Sequence, residues 1–237
     1  MSGEIFSLGL EDEDKVASTL GGGIPTRSII LVEGKSGTGK SVWLQRIAKG
    51  VCGEGKKVTY VSEEETGFSF VTQMDSLSYD VTTEILQQEL LFLHADANRD
   101  SSEGIIERLL NSDVPWRSDV AILDNFGRLV NYDMKNGSVD DGIDFVERFQ
   151  ESVRGFLSEG KSIVIAIDSS SFPENVIRRL RSIATVQIEL ENSLVNGQLS
   201  SRARVKQYKN MKDRVDDVID YNIKSGRGIS IESRNIA

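Results

Sequence analysis

Short apolar runs alternate along the chain with segments of helical periodicity. Residues 28–33 (Ser-Ile-Ile-Leu-Val-Glu), 57–62, 90–94, 120–124, 161–168 and 184–190 read as strands. Several are apolar without alternation, the pattern of strands buried on both faces. Helical spacing separates them. Val42 to Ala48 follows the first run, and Gly53-Glu54-Gly55 closes that helix. Phe68, Val71, Met74 and Leu77 recur at helical spacing, and a short helix is predicted near residues 82–88. Ser101-Ser102-Glu103 predicts a helix start, with Ile105, Ile106, Leu109 and Leu110 on its inner face. The clearest stripe is Ile143, Val146, Phe149, Val153 and Phe156. Pro173 opens one more helix. Residues 125–138 read as a long loop.

The ends differ from the middle. Residues 1–20 read as an acidic lead-in, and Gly21-Gly22-Gly23-Ile24-Pro25 as a turn into the first strand. Residues 198–237 alternate apolar and polar around Gly226-Arg227-Gly228, which predicts an antiparallel hairpin or meander. The economical architecture is one α/β domain over 1–237: a mostly parallel central sheet, helices on both faces and an antiparallel C-terminal edge.

The link between the first strand and helix carries chemistry. Gly34-Lys35-Ser36-Gly37-Thr38-Gly39-Lys40-Ser41 fits G-x-x-x-x-G-K-[ST], a phosphate-binding loop. The strand before it and the helix after it supply the context the motif needs. Gly34, Gly37 and Gly39 allow positive φ and close approach to an anion. Backbone N–H groups and the helix N-terminus then face the phosphates. The contact stretch runs through Gly34, Lys35, Ser36, Gly37, Thr38, Gly39, Lys40, Ser41 and Val42. Lys40 is predicted to reach the β- and γ-phosphates, and Ser41 to offer its hydroxyl to Mg²⁺. Asp124, after four apolar residues, is the second Mg²⁺ ligand, because this ion takes hard oxygen donors and retains waters.

Asn125 follows Asp124, where some P-loop enzymes place a catalytic carboxylate. An amide takes no proton from water, so a base must come from elsewhere. Glu63-Glu64-Glu65 ends the second strand, on the side of a parallel sheet where the γ-phosphate lies. Glu64, with Glu63 beside it, is the candidate; the plainer reading is an acidic helix cap. Arg202, Arg204, Lys206, Lys209 and Lys212 crowd the C-terminal hairpin. They read as a solvated strand face, with one or two available to act on a neighbouring subunit's phosphate. Ser169 and Ser170 are placed to sense the γ-phosphate.

Composition narrows the class. The 237 residues are 38% hydrophobic, enough for a sizeable core, and carry a net charge of −9, which argues against a nucleic-acid coat. One cysteine, Cys52, excludes a disulfide within the chain and reads as core. His94 is the single histidine and reads as structural, which disfavours a histidine metal site or triad. The N-terminus lacks the form of a signal peptide, and no run approaches the ~20 apolar residues of a spanning helix.

Gly-Gly-Gly-Ile-Pro at 21–25, Val32-Glu33-Gly34 into the loop, and Tyr60-Val61-Ser62-Glu63-Glu64 together resemble the RecA-like ATPases of the KaiC branch. Within that branch the chain resembles the FlaH family of archaellum (archaeal flagellum) accessory proteins. The features are its length, residues 69–77, and the ending Val218-Ile219-Asp220-Tyr221 to Gly228-Ile229-Ser230-Ile231. The resemblance implies a RecA-like P-loop fold and an ATP- and Mg²⁺-binding regulator of the archaellum motor, with slow or conditional hydrolysis. Its implied partners are the motor ATPase FlaI, a ring scaffold and a membrane platform protein. It further implies a homo-oligomer such as a hexameric ring, no nucleic acid, and a cytoplasmic place that is peripheral to the membrane through partners. Lys40, Ser41, Asp124 and Glu64 match the family's functional positions. KaiC-type proteins carry Lys and Arg two residues apart in the hairpin; here Gln207 and Lys209 stand there. The alternatives are an ATPase of nucleic-acid recombination and an autokinase regulator with acceptors among Ser169-Ser170-Ser171 and Ser200-Ser201.

Overall fold

A computed structural model describes residues 4–10, 14–95, 105–127, 130, 139–195, 198–209 and 218–231. The predicted helix start at Ser101, Lys212 and most of the 125–138 segment lie outside these residues. The elements are β1 (Ile5–Ser7), α1 (Val16–Thr19), β2 (Gly23–Pro25), β3 (Ile29–Gly34), α2 (Lys40–Gly53), β4 (Val58–Ser62), α3 (Gly67–Ser76), α4 (Thr82–Leu86), β5 (Leu90–His94) and α5 (Ile105–Asn111). There follow β6 (Val120–Leu123), α6 (Val139–Ser152), α7 (Arg154–Ser158), β7 (Ser162–Ile167), α8 (Glu174–Ile183), β8 (Val186–Val195), β9 (Gln198–Tyr208), β10 (Val218–Lys224) and β11 (Gly228–Ile231).

Nine strands form one sheet in the order β11-β10-β9-β8-β3-β7-β6-β4-β5. The run from β8 to β5 is parallel, and β9, β10 and β11 extend it antiparallel. This is the predicted mostly parallel sheet with an antiparallel C-terminal edge.

Side-chain alternation divides the core. Ile30, Val32, Tyr60, Ile122 and Val164 pack with Trp43, Leu44, Ile47 and Val51 of α2. Ile29, Leu31, Ala121, Leu123 and Ile165 pack with Phe149 of α6, Phe156 of α7 and Ile177 of α8. Both faces of the central strands are therefore dry, which explains their unbroken apolar runs. The apolar stripe from Ile143 to Phe156 continues across a break at Val153 that separates α6 from α7.

The first twenty residues are more than a lead-in. Ile5 to Ser7 pair with Gly23 to Pro25 in a two-stranded antiparallel sheet, so the expected 21–25 turn ends in a strand. Phe6, Leu8, Val16, Ala17 and Leu20 are core residues. The anchor is Arg46 of α2, which is fully buried. Its guanidinium pairs with Asp14 and donates to Leu8 O at 2.8 Å and Gly9 O at 2.9 Å. Gly50, one turn on, admits the same backbone: a Cβ there would lie 2.0 Å from Leu8 O.

Among the described residues no helix is long and apolar enough to cross a membrane.

Removing one partner of a buried ion pair strands the other charge. Asp14→Ala is expected to destabilise by about 3–5 kcal/mol, and Asp14→Leu with Arg46→Met to recover most of that loss. Urea unfolding of the three chains measures both changes.

Candidate nucleotide site

β7 lies between β3 and β6, so the C-terminal ends of β3, β7, β6 and β4 come together. Four sequence-distant segments meet there: the 34–41 loop, Asp168, Asp124 and the Glu63-Glu64-Glu65 cluster. In open α/β sheets this end is where ligands bind.

The loop is built by close approach. Gly34 lies against Thr38 and β8, and a Cβ on it would sit 2.4 Å from Thr38 Oγ1 and 2.9 Å from Leu190 O. Its glycine serves space, and it is absent from the positive-φ positions. Gly37 (φ 80°) and Gly39 (φ 88°) adopt the left-handed backbone predicted for all three. The Thr38 hydroxyl donates to Lys35 O at 2.8 Å. Lys40 Nζ folds back over the loop and donates to Gly34 O at 2.8 Å and Lys35 O at 3.0 Å. Burial lowers the Lys40 pKa, while Asp168, Asp124 and Glu64 pull it upward.

Asp124 is 3% exposed. Its carboxylate accepts from Tyr60 Oη at 2.8 Å, and the nearby Ser41 hydroxyl favours its charged form. Burial raises its pKa against those hydrogen bonds. A dry carboxylate beside a loop hydroxyl fits a magnesium ion, which would draw two oxygens here and the rest from water and ligand. Ser41 and Asp124 would hold it.

Asn125 adopts φ 53°, a conformation Asn tolerates better than most residues. Its Nδ2 donates to Glu64 Oε1 at 2.8 Å. The amide at the expected base position thus reaches the carboxylate proposed to replace it. Glu64 is exposed, and Glu63 is half-buried beside it.

Glu65, treated from sequence as a flank, is the more perturbed carboxylate. Gln45 Nε2 of α2 lies 3.4 Å from each of its carboxylate oxygens. Its pKa is pushed up to about 7, first by burial and then by Asp124, with Glu64 adding to the rise and Gln45 opposing it. The signal for it lay in α2: Gln45 and Arg46 are two buried polar residues inside an apolar helix, Gln45 facing half-buried Glu65 and Arg46 the buried Asp14. His94, the expected structural histidine, holds the same turn through Nδ1 and Glu65 O at 2.8 Å. Cys52 is buried as predicted, and burial raises its thiol to about 12.

Asp168 was missed. One oxygen accepts from the Ser36 N–H of the loop at 3.1 Å. The other accepts from Ser170 N at 2.9 Å and Ser170 Oγ at 2.6 Å. Burial pushes its pKa up, but Ser170, Lys40 and Ser36 outweigh that and hold it below the ordinary value. Ser170 therefore meets the loop through Asp168. An anion entering the loop competes with Asp168 for Ser36 and Lys40.

The hairpin cations are engaged within the chain. Arg202 pairs with Asp220 at 2.7 Å, Arg204 with Glu191 at 3.3 Å and Lys206 with Glu189 at 2.8 Å. Gln207 Nε2 and Lys209 Nζ donate to Ala184 O at 2.7 and 2.8 Å. Val186 at that end of β8 pairs with Tyr208, whereas Leu190 pairs with Gly34, so Gln207 and Lys209 lie at the end of the sheet away from their own loop.

A family model described as ATPase: KaiC matches residues 9–136. The archaeal flagellar ATP-binding protein FlaH of Methanocaldococcus jannaschii is 30% identical over 98% of this chain and 97% of its own. The chain belongs to the FlaH family. The crystal structure of flagellar accessory protein FlaH from the same organism superposes with a TM-score of 0.87 at 28% identity, over 97% of this chain and all of that one. The KaiC-like protein PH0186 of Pyrococcus horikoshii gives 0.73 at 13% identity, over 98% of this chain and all of its own, a likeness of fold. In this FlaH-family chain the RecA-like sheet, the loop and the acidic cluster share one end.

The Glu65 shift sets a pH dependence. A carboxyl whose folded pKa is raised from 4.5 to about 7 contributes stability below 4.5 that is lost as pH rises through 7. Glu65→Gln is expected to raise the metal-free melting temperature at pH 8 and to change it little near pH 4.5. Thermal melts across that range measure the crossover.

Proposed function

We propose that this chain is an ATP-binding regulatory component of the archaellum motor. Bound Mg-ATP controls its docking onto the motor ATPase FlaI, within a ring scaffold and beneath a membrane platform protein. Hydrolysis is slow or conditional. The observation that carries this reading is the formed phosphate loop with Ser41 against Asp124, in a chain akin over its full length to archaeal flagellar ATP-binding proteins.

In this reading the loop N–H groups and Lys40 bind the phosphates, with Val42 in the first turn of α2 behind them. Ser41 and Asp124 hold Mg²⁺, whose charge steadies the phosphate oxygens. Glu64 orients the attacking water and takes its proton, with Glu63 beside it. Asn125, with no proton-accepting group, fixes Glu64. Arg202, Arg204 and Lys206 must leave their own carboxylates to serve a neighbouring subunit, which makes turnover conditional on assembly into a homo-oligomer. The chain is placed in the cytoplasm, at the membrane through partners. No feature of the site calls for nucleic acid.

Mg-ATP at about 100 times its Kd is expected to stabilise the protein by ~2.7 kcal/mol. Lys40→Ala is expected to abolish the rise in melting temperature; a parent protein with no rise overturns the reading. Glu64→Gln is expected to lower any Mg-ATP turnover by about 10²-fold or more, with Kd for ATP kept within about three-fold. Phosphate release measured over a protein concentration series tests this, and unchanged turnover removes Glu64 from the role.

A further inference from the structure

The C-terminal strand β10 touches the phosphate loop. Tyr221 is 1% exposed, and its hydroxyl donates to Thr38 O at 2.8 Å. Its ring meets Trp43 of α2 edge-on, with centroids 5.4 Å apart and planes at 83°. Ile223, two residues along the same face, covers Gly39: a Cβ there would lie 2.5 Å from Ile223 Cδ1. Both contacts fall on one peptide unit, Thr38–Gly39.

A trans peptide is planar, and its C=O and N–H point in opposite directions. Holding the Thr38 carbonyl outward therefore turns the Gly39 N–H toward the concave side of the loop. That side is where a phosphate is met by the donors of a glycine loop. Without the hydroxyl, the Thr38 carbonyl loses this partner next to Gly39, whose left-handed backbone leaves the peptide freer to turn.

β10 is a firm support for this contact. The turn after it is tied to the end of α3: Gly226 N donates to Ser76 O at 2.7 Å, and Ser78 Oγ to Gly226 O at 2.7 Å. Ile229 N donates to Tyr79 Oη at 2.8 Å. Gly228 leaves the room this needs, since a Cβ there would lie 2.2 Å from that oxygen. Burial pushes the Tyr221 pKa up to about 12, so its hydroxyl keeps its proton as donor throughout the neutral range.

We infer that Tyr221 is a positioning residue for phosphate binding, which acts through the Thr38–Gly39 peptide and makes the C-terminal antiparallel edge part of the nucleotide site. The inference rests on the ATP-binding reading above. It assigns the C-terminal hairpin a role in cis, apart from any action of its cations on a neighbour.

Tyr221→Phe keeps the ring and its edge contact with Trp43 and removes only the hydroxyl. One neutral hydrogen bond sets the scale: Kd for Mg-ATP and for Mg-ADP is expected to rise about three- to ten-fold. The buried Thr38 carbonyl loses its partner, so the ligand-free melting temperature is expected to fall by a few degrees. Isothermal titration and thermal melts of the full chain give the two readings. A second signal comes from Trp43 emission in a Trp116→Phe background, which leaves Trp43 as the one tryptophan. Its change on saturation with Mg-ATP is expected to differ once the hydroxyl is gone. A Kd equal to that of the parent overturns the inference, whatever happens to the melting temperature, because a purely structural hydroxyl moves stability alone. A parent chain that fails to bind Mg-ATP overturns the functional reading together with it.

Discussion

One ammonium faces several carboxylates, and the arrangement of the site depends on that imbalance. Lys40 lies half-buried within the field of Asp168, Asp124 and Glu64, and Glu65 stands beyond them beside Asp124. Four acids against one cation, partly out of water, do not make a neutral site. The relief available within the chain is visible in each group. Lys40 turns to loop carbonyls, Asp168 takes the Ser36 N–H, Asp124 takes the Tyr60 hydroxyl, and Glu65 rises toward protonation. A divalent cation at Ser41 and Asp124 would offset part of this negative charge, and a polyphosphate would offer Lys40 and the loop N–H groups a stronger partner than Asp168. The site is thus suited to a cation beside Asp124 and an anion at the loop.

α2 transmits that constraint to the rest of the chain. It starts at Lys40 in the loop and runs through Gln45, which faces Glu65, and Arg46, which clasps the N-terminal segment. Leu8, Gly9 and Asp14 meet it from one direction, and β10 reaches the loop at its start from another through Tyr221 and Ile223. Two described segments remote in sequence, the one bearing Leu8 and Asp14 and the strand β10, therefore converge on one helix and its loop. The hairpin ion pairs contribute less. Their side chains are 14–46% exposed, where each pair is worth about 0–1 kcal/mol, so they can be exchanged for other partners at little cost.

The sequence by itself determined the parallel sheet, the loop and the helix after it, because these rest on local patterns. Apolar runs that lack alternation must be buried on both faces, and G-x-x-x-x-G-K-S between a strand and a helix has few other uses. Asp124 followed from its place at the end of such a run. Glu64 and Glu63 followed from the end of the neighbouring strand.

Only the tertiary structure decided which distant groups meet them. Asp168 reaches the loop because β7 is inserted between β3 and β6, an order that no single strand's sequence carries. Glu65 became the perturbed acid because the fold withdraws it from water beside Asp124. The lead-in became core because Arg46, an ordinary surface residue by type, is buried with Asp14 and needs two more carbonyls. Tyr221 is about 180 residues from Thr38, and its hydroxyl gained a role only when the antiparallel edge folded back along α2. Periodicity fixes which face of an element is dry. Which polar atoms are stranded there, and what must satisfy them, is settled by the packing of elements that are remote in the chain.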